Sequence, residues 1–120
     1  MAASADPSPL ISRLALEGKS AICEQTLSIF VSVFGAEAGN AALHYMTTGG
    51  IFIAGTIAAK IVDKMRAPEF LQSFLDKGRM EALLRDMPVK IILNDDCGLL
   101  GAARYTLVQK AFPGASRAAD

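Results

Sequence analysis

The chain has no tryptophan, one histidine and two cysteines. Each shortage closes a route. His44 with Cys23 and Cys97, all far apart, does not make a zinc pattern, which draws its ligands from closely spaced pairs. Neither cysteine sits in a C-x-x-C pair, so a reduced, cytoplasmic setting is the simplest reading. No sign of charge dominates: 12 Lys and Arg balance 12 Asp and Glu. A nucleic-acid binder needs a basic footprint, and an anionic membrane surface needs polybasic bait; neither is here. No nucleic acid and no membrane are therefore expected as partners. The opening M-A-A-S-A-D-P-S-P lacks the basic and apolar regions of a secretory signal. The apolar runs are expected to be broken by Ser, Glu, Gly and Asn before the roughly twenty residues of a membrane span.

What is present is material for one domain: 120 residues, 52% of them hydrophobic. A chain of this size buries roughly two thirds of its unfolded surface. Residues 1–6 read as a flexible lead, with Ser8 and Pro9 opening a short helix that Gly18 closes. Ser20 caps a long helix to about Met46. Its stripe is Leu27, Val31, Phe34, Ala38, Ala41 and Tyr45, with a second stripe of Ile22, Ile29, Phe30 and Val33 beside it. So wide a face predicts a mostly buried helix. Gly35 and Gly39 each cost it roughly 1 kcal/mol relative to Ala, which close approach of another backbone would justify. Ile51, Phe52 and Ile53 read as a strand covered on both faces. Thr56 caps the next helix, with Ile57, Ile61, Val62 and Met65 inward. Pro68 opens another helix, with Phe70, Leu71, Phe74 and Leu75 inward, and Gly78 stops it. Val89–Leu93 is a second strand. A last helix over Leu99–Ala111 ends near Pro113, and 113–120 is a loose tail. The pattern is helix-rich α/β, with few parallel strands joined by helical crossovers.

Few residues here carry chemistry. Gly50–Thr56 has the glycines of a phosphate loop but no lysine, and its middle is an apolar strand, so a P-loop is rejected. There is no G-x-G-x-x-G. A strand that turns through Ala54, Gly55 and Thr56 into a helix suits a nucleotide, since bare backbone and helix-start amides meet there. It also suits a plain tight turn, and periodicity alone favours the turn. His44 has no acid or cysteine near it in sequence and reads as structural. Asp95 and Asp96 read as helix-start caps, Cys97 as inert, and Lys60 as a solvated lysine. No catalytic residue and no metal ligand is assigned.

Five segments in register carry a further signal: F-G-A-E-A-G-N-A-A-L, T-G-G-I-F-I-A-G-T-I-A-A-K-I, P-E-F-L-Q-S-F-L-D-K-G-R-M, M-P-V-K-I-I-L and G-L-L-G-A-A. Together they resemble the C-terminal third of the bacterial-type glucokinases, in the actin-like (ribonuclease H-like) sugar-kinase superfamily. The resemblance covers about Pro7 to Phe112. It implies that residues 7–112 form the C-terminal segment of the large lobe of a cytoplasmic, often dimeric enzyme, so a homodimer is implied. That enzyme moves the γ-phosphate of ATP, with Mg²⁺, to the 6-hydroxyl of glucose. In this chain Gly49, Gly50, Gly55 and Thr56 would stand on the adenosine side. The family usually reads A-G-G-I-A-P after the strand; here Thr56 replaces the second glycine and Ala59 the proline. A Cβ and hydroxyl at Thr56 narrow the room beside the backbone. The family's D-x-G-G-T, its catalytic aspartate and its glucose-binding Asn, Glu and His belong to the N-terminal lobe and have no counterpart here. Hence two readings: part of a glucokinase, inactive without the missing N-terminal kinase lobe, or a stand-alone non-catalytic module for oligomerisation or regulation. The opening methionine and the altered turn fit the second.

Overall fold

The structure, a computed structural model, describes residues 6–111, with side chains described for residues 6–108. The elements run α1 (Ser8–Leu16), α2 (Ala21–Tyr45), β1 (Ile51–Ile53), α3 (Thr56–Lys60), α4 (Val62–Met65) and α5 (Pro68–Leu75). A 3-10 turn (Gly78–Met80), α6 (Glu81–Arg85), β2 (Val89–Ile91) and α7 (Cys97–Ala111) follow. This is mostly helical α/β structure with two parallel strands, as expected. Most of the expected lead, the whole expected tail and Pro113 lie outside the described residues.

Local chemistry explains most boundaries. Ser20 caps α2 by accepting the Cys23 amide, at 3.4 Å. Met46 ends α2 in the left-handed region, at φ 49°. Pro68 stands in the first turn of α5, where its missing N–H costs nothing. Gly78, at φ 53°, turns the chain away after α5.

The core is the crossing of α2 and α5. Gly35 and Gly39 face the carbonyls of Phe70 and Phe74, and a Cβ on either would come well under 3.0 Å from those oxygens. The two glycines therefore serve backbone approach, as their spacing predicts. Phe34 meets Phe70 edge-on at 6.3 Å, and Phe70 stacks with Phe74 at 6.3 Å. Leu27, Val31, Phe74, Leu84 and Met87 fill the rest, all buried. The crossover from β1 through the short helices returns the chain to β2, pairing Ile51 with Val89, Phe52 with Lys90 and Ile53 with Ile91.

Several expectations fail, and those about burial fail for one reason: the described elements wrap only one side of α2 and of the sheet. The second stripe of α2 is exposed, with Ile22 at 78%, Val33 at 63% and Ile29 and Phe30 also open. Tyr45 is likewise exposed, so α2 is not mostly buried. β1 is covered on one face only; Phe52 lies open beneath the Lys90 ammonium, 5.3 Å from its ring centre. Ile57 and Leu71, expected inward, are exposed. Gly55, not Thr56, is the cap residue of α3, and no side chain caps it. The second strand stops at Ile91 rather than Leu93. By length and composition α2 is also apolar enough to cross a membrane, against the expectation that every run stops short. Glu24 with Gln25, then Glu37 and Asn40, interrupt it too sparsely to stop the average being apolar. A core helix passes the same test, and the glycine face packed on α5 fits that role.

Candidate functional site

Because β1 and β2 are parallel, their C-terminal ends share one edge of the sheet. Ala54, Gly55 and Thr56 leave β1 there, and Ile92 to Asp96 leave β2 beside them, held by the Ile92 amide donating to the Ile53 carbonyl at 2.8 Å. Ligands of open α/β sheets bind at this edge. Gly49 and Gly50 lie at the other end of β1. The structure therefore separates the four expected nucleotide residues into two pairs, roughly 15 Å apart at the usual strand rise.

The pairs differ in kind. Gly50 has φ 107°, and a Cβ there would meet the Pro88 carbonyl oxygen at 2.6 Å. It is bare because the strand must start against Pro88, whose carbonyl accepts the Ile51 amide at 2.9 Å. Gly49 has open space around it. Gly55 has φ 122° and ψ 157°, a region that side chains essentially forbid. Yet nothing lies within 4 Å of where its Cβ would be. Its backbone is thus both strained for other residues and accessible. The first-turn amides of α3 follow it, and such amides have no acceptors within their own helix.

A groove beside α3 mixes apolar and polar lining residues. It holds about 680 Å³ between α1, α2 and α3, within the range of small-molecule sites. Leu16, Leu27, Phe30, Ile57 and Ile61 line it, and Arg13, Glu17 and Lys60 stand among them. Lys60, read from the sequence as a solvated lysine, lines the groove, as do Leu16 and Phe30, whose place there depends on how α1 lies across α2.

The other candidates stay apart. His44 is exposed and stands edge-on to Tyr45 at 4.7 Å. Asp95 and Asp96 are exposed in a turn where the Asp96 amide donates to Asn94 Oδ1 at 2.9 Å. Cys97 is half-buried and free. Among the described residues no three His, Cys, Asp or Glu side chains come together as a metal site. Gly55 and Thr56 do not themselves line the groove, whose α3 side is Ile57, Lys60 and Ile61.

The sequence model of the family described as Glucokinase matches residues 1–109. The chain belongs to the glucokinase family. Glucokinase of Nostoc punctiforme is 49% identical over 100 residues, covering 83% of this chain and 29% of that protein. Glucokinase of Trichormus variabilis is 47% identical over 98 residues, 82% of this chain and 29% of the relative. A solved glucokinase from an Antarctic psychrotroph superposes with TM-score 0.70 at 35% identity, over 78% of this chain and 29% of that one. This glucokinase-family chain thus spans about 29% of the length of the curated relatives it matches. The α/β arrangement, with its parallel strand pair, is that of a sugar-kinase lobe.

Proposed function

We propose that residues 7–112 are the C-terminal segment of the large lobe of a cytoplasmic glucokinase, supplying the adenosine-side wall of its ATP cleft. The observation that carries this is Gly55: a residue whose φ of 122° excludes side chains, at a parallel strand end, with open space where a Cβ would point. Thr56 and the start of α3 continue the wall, and the groove against Phe30 and Ile57 offers an apolar face for a purine ring. Gly50 keeps the strand entry in shape, and Gly49 and Gly50 stand at the other end of β1 from Gly55. In the whole enzyme the γ-phosphate of ATP passes to the glucose 6-hydroxyl. Phosphoryl transfer needs Mg²⁺, a positioned acceptor and an anion cradle. Among the described residues no metal-binding group of side chains comes together, and this reading assigns the metal, the sugar and the catalytic base to the N-terminal lobe of the whole enzyme.

Calorimetric titration with a non-hydrolysable ATP analogue tests the reading. Gly55→Val is expected to lose roughly tenfold or more in affinity, about 1.4 kcal/mol, while Gly49→Ala binds as before. Circular dichroism checks that both variants stay folded. Equal affinity across all three proteins would sink the assignment of the wall. Glucose 6-phosphate formed by the purified chain alone would overturn the division of labour.

A second reading, a non-catalytic module for oligomerisation, draws on one observation: the open stripe of Ile22, Ile29 and Val33 along α2. It predicts a dimer of this chain by light scattering that Ile29→Lys dissolves. In the first reading the same face can also serve a homodimer of whole enzymes, and nucleotide binding distinguishes the two.

A further inference from the structure

In the groove between α1, α2 and α3, most polar side chains already have partners. The Ser8 hydroxyl donates to Asp6 at 2.7 Å, Ser12 to the Ser8 carbonyl at 2.8 Å and Thr26 to the Ile22 carbonyl at 2.8 Å. Glu17 is paired with Lys19 at 2.7 Å. Arg13 and Lys60 also line the groove, are exposed, and have no ion-pair partner among the described residues. The groove therefore offers a ligand two unspent cations and little else that is polar.

Its apolar lining is only partly covered. Leu27 and Ile61 are buried, but Leu16, Phe30 and Ile57 stay 45%, 42% and 60% exposed. A ligand that covers those three takes apolar surface out of water, which favours binding in proportion to the area removed. A sugar or a peptide would bring hydroxyls or amides into this lining and leave them unpaired. An alkyl chain needs no polar partner, and an anionic head needs only the cations. About 680 Å³ has room for a chain of roughly a dozen carbons. Free solution is a better source of such a molecule than a bilayer. The 12 Lys and Arg are cancelled by 12 Asp and Glu, so no polybasic bait draws the protein to an anionic surface.

We infer that the groove binds one free fatty acid, its alkyl chain along Leu16, Phe30 and Ile57 and its carboxylate drawn to Arg13 and Lys60. This site goes beyond the nucleotide wall and does not need it. Where the purine of that reading lies against Phe30 and Ile57, the fatty acid takes the same surface, so the two ligands exclude each other.

Calorimetric titration of the 120-residue chain with dodecanoate, kept below its micelle concentration, tests the site. One molecule per chain is expected, with affinity rising roughly two- to fourfold for each methylene from decanoate to tetradecanoate. Dodecyltrimethylammonium, with the same chain and the opposite charge, should bind roughly tenfold more weakly or worse. Arg13→Gln with Lys60→Gln should lose roughly tenfold for dodecanoate and bind dodecanol as before. Ile57→Asn should weaken both ligands, and Val33→Asn, outside the groove, neither. All four substituted side chains are exposed, so the core is untouched, and circular dichroism checks the fold. The inference is overturned by no binding, by affinity that ignores chain length or head charge, or by uptake only in micelles or on phosphatidylglycerol vesicles. A dimer of the chain that hides Leu16 and Ile57 would overturn it too. Saturating dodecanoate should also weaken the ATP analogue. If the analogue binds and dodecanoate does not displace it, the placement against Phe30 and Ile57 falls. If the analogue does not bind at all, the nucleotide wall falls and the fatty-acid site stands on the dodecanoate titration alone.

Discussion

The seam between α2 and α5 and the arm formed by α7 are built from similar residues and behave in opposite ways. Both are apolar and both carry glycine inside a helix. In the seam, glycine lets two backbones touch and phenylalanines close around them. In the arm, Gly98 and Gly101 have nothing within 4 Å of an added Cβ, and the leucines face water. Composition therefore does not decide which helix anchors a fold; the presence of a partner does.

The largest expected effect breaks the seam. Phe74 is 1% exposed, stacks on Phe70 one turn away on α5, and its carbonyl lies against Gly39 of α2. Phe74→Ala should cost about 3–5 kcal/mol, a transfer loss plus the cavity left behind. That is much of the 5–15 kcal/mol that holds an ordinary domain, so urea titration should show a midpoint far below wild type. Leu99→Ala, in the arm, should stay within about 0.5 kcal/mol in the same titration, as exposed substitutions do. Matching losses at the two sites would erase the contrast.

A smaller effect sharpens the contrast by using one substitution twice. Gly→Ala inside a helix gains roughly 1 kcal/mol from propensity. At Gly101 nothing opposes that gain, so helicity by circular dichroism should rise slightly while the melting temperature stays put, α7 being uncoupled from the core. At Gly35 the new methyl meets the Phe70 carbonyl, which belongs to backbone and cannot swing aside. Overpacking of that kind costs about 1–3 kcal/mol or more, which outweighs the propensity gain. Gly35→Ala should therefore lower the melting temperature, the opposite sign to what the helix alone would give.

These contrasts show what the sequence could and could not say. The four-residue spacing of Gly35 and Gly39 was legible as backbone approach, because glycine disfavours a helix unless something needs the space. The cap at Ser20, the break at Pro68 and the two strands were legible from local chemistry. Exposure was not. Ile29 and Val33 have the spacing of a buried stripe, and periodicity reports which residues share a face, not whether anything covers that face. At the candidate site, the glycine-rich stretch was visible as a unit. Its division into a strand entry and a strand exit was not, since it depends on β1 spanning only Ile51–Ile53 between them. Nor was the difference between Gly50 and Gly55: both have positive φ, but only the fold reveals that Pro88 crowds one and leaves the other open. The groove across α1, α2 and α3 joins residues far apart in sequence, and no local signal pointed to it.

The smallest expected effect asks whether a surface polar contact can rival packing in this molecule. Asp6 precedes α1 and accepts hydrogen bonds from the Ser8 hydroxyl at 2.7 Å and the Ser8 amide at 3.0 Å. The hydroxyl bond, and then the amide bond, hold its carboxyl below the ordinary value of 3.8. A carboxylate with a depressed folded pKa adds stability above its unfolded pKa and loses it as pH falls through the folded value. The Asp6–Ser8 contact should thus be complete above about pH 4 and should loosen the start of α1 below that. The group is fully exposed, so water and salt screen the contact. The amides of α1 should gain exchange on acidification in wild type and not in Asp6→Asn, while the melting temperatures of the two proteins coincide from pH 5 to 7. If Asp6→Asn instead melted as low as Phe74→Ala, a single exposed polar contact would be holding the fold, and packing would no longer separate the seam from the arm.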